Sequence, residues 1–153
     1  MERRERAGQL FLGGCNCSQA VACAFSDLVD IDEQTLAKAA SSFGGGLGRL
    51  REVCGAVSGM CMIAGLLYGT DTTSSREEKQ VHYELIQKLA KKFEQENGSI
   101  VCRELLGLDR KHDDPVPEAR TEQYYRKRPC AELVKCAVQI LEEEIQKRQK
   151  ENQ

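Results

Sequence analysis

A chain of 153 residues can bury one core without cross-links, and its 41% hydrophobic and 30% charged content is that of an ordinary globular domain. A net charge of −2, with no basic run longer than the three residues Arg126-Lys127-Arg128, gives no support to an electrostatic nucleic-acid binder. The apolar run Leu10-Phe11-Leu12 is too short for an export signal, so the expectation is a single cytoplasmic domain over residues 1–153 with reduced thiols.

Strand-type alternation is absent, and helical periodicity recurs along the chain. Residues 1–12 read as a weakly amphipathic helix stopped by Gly13-Gly14. Asn16 caps a second helix from Cys17 to about Leu28, with Ala20, Val21, Ala24 and Leu28 facing inward. Asp32 caps a third, carrying Leu36, Ala37, Ala39 and Ala40 and stopping at Phe43-Gly44-Gly45-Gly46. From Val53 to Gly69 come 17 uncharged residues, short of the roughly 20 apolar residues that a membrane span needs. They predict a buried central helix.

Ser75 caps a fifth helix, Arg76–Gln95, whose stripe is Val81, Leu85, Ile86, Leu89, Ala90 and Phe93, with Gly98 as its stop. A short sixth helix runs through Leu106 to Gly107. Asp109 to Thr121, with Pro115 and Pro117, is the longest loop, and Tyr124-Tyr125 is its expected anchor. Pro129 opens the last helix, whose stripe is Cys130, Leu133, Val134, Ala137, Leu141 and Ile145. Residues 146–153 are expected to fray. The expected fold is all-α: a compact bundle of six to eight helices around a central, uncharged, glycine-rich one.

Eight cysteines give this chain its chemistry, and four of them stand at predicted helix starts: Cys17, Cys54, Cys102 and Cys130. A helix start presents free N–H groups and the positive end of the macrodipole, which favour the thiolate, the form that binds metals and attacks disulfides. Cys23, Cys61 and Cys136 fall mid-helix and read as small packing residues. Cys15, two residues before Cys17, is open between a resolving thiol and a spare ligand. The glycines at 44–46, 55 and 59 allow backbone to approach a site at Cys54 closely, which makes Gly45, Gly46, Gly55 and Gly59 candidate cofactor contacts. The same glycine run lacks the preceding strand and the Gly-Lys-Ser/Thr of a phosphate cradle, so nucleotide binding is not expected.

Asn16-Cys17-Ser18-Gln19, Phe43-Gly44-Gly45-Gly46-Leu47-Gly48-Arg49 and Cys54-Gly55-Ala56-Val57-Ser58-Gly59 are followed by Cys102-Arg103-Glu104-Leu105-Leu106-Gly107 and Cys130-Ala131-Glu132-Leu133-Val134. In this order and spacing the chain resembles the family of redox-active proteins named for its cysteine pattern, C_GCAxxG_C_C. It is distantly similar to cluster-binding parts of split-Soret cytochromes. The resemblance implies that Cys17, Cys54, Cys102 and Cys130 are the family's four cysteines and that they serve a redox role. The chain departs from it in having Cys15, Cys23, Cys61 and Cys136 in addition, and without Cys-x-x-Cys-His no covalent haem is expected.

The leading expectation is a [2Fe–2S] cluster on the four helix-start thiolates, in an electron-transfer or redox-sensing protein with an unidentified redox partner. Zinc on the same thiolates is the lesser alternative, because structural zinc draws its ligands in close pairs. An enzymatic alternative is metal-free thiol–disulfide exchange, with Cys54 as nucleophile. A third is a non-redox helical interaction module whose cysteines only pack. The Gly55-x-x-x-Gly59 and Gly65-x-x-x-Gly69 surfaces leave a homo-oligomer open.

Overall fold

The computed structural model describes residues 1–152; Gln153, the end of the expected frayed tail, lies outside them. In chain order come α1 (Arg3–Leu12), α2 (Cys17–Cys23), α3 (Glu33–Ala40), α4 (Gly44–Leu47), α5 (Gly55–Tyr68), α6 (Arg76–Asn97), α7 (Cys102–Leu105), α8 (Glu122–Lys127) and α9 (Cys130–Glu151). Of these, α4 is a distorted turn with Gly45 and Gly46 at φ 66° and 70°, which leaves eight regular helices. Among the described residues there is no strand, only one isolated antiparallel bridge between Val53 and Val101. No described helix is long and apolar enough to cross a membrane.

Local chemistry sets the helix starts. The Asn16 side chain accepts the Gln19 N–H while the Gln19 side chain accepts the Asn16 N–H, a reciprocal cap on α2. Ser75 and Glu78 repeat the device on α6. Gly98, at φ 91°, ends α6 in the left-handed conformation that glycine adopts without strain.

Packing then places α2 at the centre. Ala20 to Phe25 are all at most 1% exposed, because α1, α3, α5 and α9 surround them. Gly59 is why α5 can lie on α2: a β-carbon there would stand 2.6 Å from the Ser18 carbonyl oxygen. From the other side, α9 brings Val134, Ala137, Val138 and Leu141 into the core, and α6 adds Leu85, Leu89 and Phe93. Each large apolar side chain so buried stabilises the fold by about 1.5–3 kcal/mol.

Several boundaries differ from the sequence expectation. The second helix ends at Cys23, and a tight turn at Ser26–Leu28 follows. There the Arg3 guanidinium donates to the Ala24 carbonyl at 2.7 Å, so that acceptor needs no helical partner, and Leu28 faces solvent. On α6 the stripe starts at Leu85; Val81 is 63% exposed because the first two turns run past the bundle. The unforeseen α8 is capped by Thr121, whose hydroxyl accepts the Tyr124 N–H. Instead of fraying after Ile145, α9 continues through Glu151, held where Glu144 bonds both Lys88 and Arg148.

Candidate functional site

Four separate segments carry the helix-start cysteines to one end of the bundle. Cys17 is the first residue of α2, directly after the Asn16 cap. Cys54 is the capping residue of α5, with extended backbone at φ −51° and ψ 131°. Cys102 opens the single-turn α7, and Cys130 opens the 22-residue α9 after Pro129.

Two backbone hydrogen bonds tie the middle pair. The Val53–Val101 bridge lets the Cys54 N–H donate to the Ile100 carbonyl at 2.8 Å and the Cys102 N–H to the Glu52 carbonyl at 2.6 Å. Gly46 closes over them: a β-carbon there would stand 2.7 Å from both Cys102 Cβ and the Glu52 nitrogen, and its φ of 70° already suits glycine. Gly55 likewise lets α5 meet Cys17, whose Cβ is 3.2 Å from where a side chain would begin.

All four cysteines line one cavity of about 360 Å³, together with Gly44, Gly45, Gly46 and Gly55. Cys54, Cys102 and Cys130 are buried, Cys17 is partly so, and all are free thiols. They ring a space rather than a point. Among the described residues, no three Cys, His, Asp or Glu side chains stand close enough to share a single metal ion.

Charge around the ring is uneven. Burial pushes the Cys54 thiol up to about 12, although the N–H groups of Ala56 and Val57 at the start of α5 oppose that by favouring its thiolate. Burial also raises Cys102, partly offset by Arg51, whose Nη1 is 3.6 Å from its sulfur. Cys17 is held well above the ordinary thiol range, first because it shares a hydrogen bond with Cys130 and then because it is buried. Cys130 alone is lowered: it receives the Cys17 hydrogen bond and is flanked by Arg128, Arg51 and Arg120. In the free-thiol protein the helix-start effect is therefore outweighed by burial at Cys54 and Cys102 and by the shared hydrogen bond and burial together at Cys17, and the thiol drawn downward is Cys130 rather than Cys54. The full macrodipole also belongs only to the longer helices, since α2 has 7 residues and α7 has 4.

Arginines complete the wall. Arg51 is 6% exposed and adopts φ 60°; its Nε donates to Asp113 Oδ2 at 2.8 Å. Arg49 (φ 69°) and Arg110 meet the same carboxylate. Arg128 pairs with Glu118. Arg120 donates to the Phe11 and Cys15 carbonyls at 3.0 and 3.1 Å and stacks 4.4 Å over the Phe11 ring. The loop before α8 is thereby drawn across the cysteines.

The remaining sequence candidates fall elsewhere. Gly59 lies under α2 and outside the cavity wall, and so does Cys15, which is half-buried. Cys23 is 1% exposed within the core. Cys61 is half-buried, and Cys136 accepts from Asn97 at 3.3 Å and donates to Glu96 at 2.9 Å. Sequence reading marked Tyr124 as a loop anchor and Arg49 within the glycine-rich motif, but gave no role to Arg120, Arg128 or Phe11. Arginines flanking a tyrosine pair near Cys130 were the available signal.

An all-helical bundle with four thiols converging from four segments on one arginine-walled cavity defines a cysteine-centred protein. The chain belongs to the family described as "Putative redox-active protein (C_GCAxxG_C_C)", whose model matches residues 15–144. No curated protein and no solved structure matches it.

Proposed function

We propose that Cys17, Cys54, Cys102 and Cys130 hold a [2Fe–2S] cluster, and that the protein is a cytoplasmic electron carrier or redox sensor serving a partner protein. The observation that carries this reading is the ring itself: four free thiols from four segments lining one cavity. The donor set is that of such clusters, which are held by four thiolates. Spacing around a cavity suits a multi-atom group better than a lone zinc ion, whose tetrahedral site would draw four sulfurs to about 4 Å of one another. When bound, the cluster supplies one-electron chemistry. The chain's own residues do the rest. Arg51, Arg120 and Arg128 offset thiolate charge in a buried place, Gly46 and Gly55 let backbone close around the sulfurs, and the loop before α8 limits access of water.

Purification without oxygen tests this, with iron and sulfide analysis and a visible spectrum. About two irons and two sulfides per chain are expected. Cys54→Ser or Cys130→Ser should abolish them, and Cys23→Ala or Cys136→Ala should not. Iron-free protein after anaerobic reconstitution would sink the reading.

A second reading is favoured by the mutual influence of Cys17 and Cys130 across the cavity, which raises the first thiol and lowers the second: metal-free thiol–disulfide exchange. The Cys130 thiolate would attack one sulfur of a partner disulfide and release the other as thiolate. Cys17, once deprotonated, would then resolve the mixed disulfide, leaving a Cys17–Cys130 bond and a reduced partner. Mass spectrometry of protein exposed to oxidised glutathione would show this bond ahead of any other.

A further inference from the structure

Two arginines of the cavity wall have no acid of their own. Among the described residues, Arg120 enters no ion pair; it is held by carbonyl oxygens and aromatic rings instead. Arg49 reaches only Asp113, at 3.7 Å, and Asp113 is already bonded by Arg51 and Arg110. The Arg49 Nε is buried without any hydrogen-bond partner. Its backbone sits at φ 69°, a conformation that a non-glycine residue keeps only where its surroundings impose it.

The thiols account for Arg120 only in part, and Arg49 is not among the groups that chiefly act on them. Arg51 bonds Cys102, and Arg128 is the strongest cation acting on Cys130, with Arg120 a weaker contributor. Beside the arginines the wall carries apolar and aromatic groups, among them Phe11, Tyr124 and Leu133, and one carboxylate, Glu118, which Arg51 and Arg128 already pair. A volume of about 360 Å³ falls in the range of roughly 300–1,000 Å³ found for small-molecule sites, which pair apolar walls with a few fixed polar groups. A planar guanidinium matches a carboxylate or phosphate edge with two parallel hydrogen bonds.

We propose that this cavity also receives a small organic anion, a carboxylate or phosphate joined to an apolar body. Its oxygens lie on Arg49 and Arg120, and its body lies against Phe11 and Tyr124. This goes beyond the redox reading and requires no cluster, so the two fail separately.

The test is calorimetric titration of the reduced, metal-free, full-length chain with benzoate, phenyl phosphate and neutral benzyl alcohol. At least one of the two anions should bind saturably at one site per chain, with benzyl alcohol at least tenfold weaker. Arg49→Gln and Arg120→Lys should each weaken the anion about tenfold or more, while Arg126→Gln, which removes an exposed charge outside the cavity, should leave it unchanged. Arg49 makes no hydrogen bond within 3.5 Å through its side chain, so its variant decides the matter if Arg120→Lys melts early. Absence of saturable binding, equal binding of benzyl alcohol, or wild-type affinity in Arg49→Gln overturns the proposal. An iron-free protein that still binds the anion keeps this inference and removes the cluster; a loaded protein whose metal-free form ignores all three probes does the reverse.

Discussion

At the scale of single residues, the four sulfurs of one ring are not equivalent. Burial pushes Cys54 up to about 12, whereas the hydrogen bond from Cys17 and three nearby arginines draw Cys130 below the usual thiol value. Limiting iodoacetamide at pH 7.5 should therefore label Cys130 first among the four in metal-free protein, read by peptide mass spectrometry. Cys17→Ala removes the donor, raises Cys130 and should slow that labelling several-fold; faster labelling would contradict the shared hydrogen bond. Two glycines offer a matched test of the backbone. Gly48, at φ 55°, has open space where a β-carbon would go, so Gly48→Ala should cost only the left-handed strain, about 1 kcal/mol. Gly46 adds a collision with the backbone of Arg51 and Glu52, and Gly46→Ala should cost roughly 2–5 kcal/mol in urea denaturation.

At the scale of elements, the loop before α8 is fastened by Asp113. Its N–H donates to the Arg49 carbonyl at 3.0 Å, and its carboxylate answers Arg49, Arg51 and Arg110. Arg110 and Arg51 hold it at about 2, below the ordinary carboxylate value of 3.8. A depressed folded value means that the contribution is complete above about pH 4 and is lost as pH falls toward 2. The stability gap between wild type and Asp113→Asn should thus be flat from pH 7 to 5 and shrink between pH 4 and 2. A gap that widened on acidification would reverse the sign. This loop also marks where the sequence stopped being legible. Asn16, Ser75 and Gly98 announced their helix ends because caps are local chemistry, and the four helix-start cysteines were found the same way. The Val53–Val101 bridge was not foreseen, since one rung between segments 48 positions apart leaves no periodic trace. Arg120 and Arg128 were missed for the same reason: their partners, Phe11, Cys15 and Glu118, are set by folding across the chain and, for Glu118, by the loop's own path. Helix ends erred where a tertiary group intervened, as Arg3 does at Ala24.

At the scale of the whole molecule, one core joins the first helix to the last. Leu141 is wholly buried, and Leu141→Ala should destabilise by about 2–5 kcal/mol, whereas Val81→Ala on the projecting part of α6 should stay within about 0.5 kcal/mol. Similar losses at both positions would mean that α6 packs along its whole length. The contact between Cys17 and Cys130 bears on the chain when it is not folded at all. Oxidation by an added disulfide would remove two protons and two electrons and join residues at opposite ends of the sequence, closing a loop of about 110 residues. A link of that span denies the denatured chain much of its freedom, about 4–5 kcal/mol in the chain-entropy account, and should raise the melting temperature by roughly 10–20 °C. Calorimetry of the oxidised and reduced forms would measure the difference, and equal melting would show that no such link forms. The oxidation state of two neighbouring sulfur atoms would then set how long the whole molecule survives heat or proteolysis, making its lifetime a record of the redox conditions it has met.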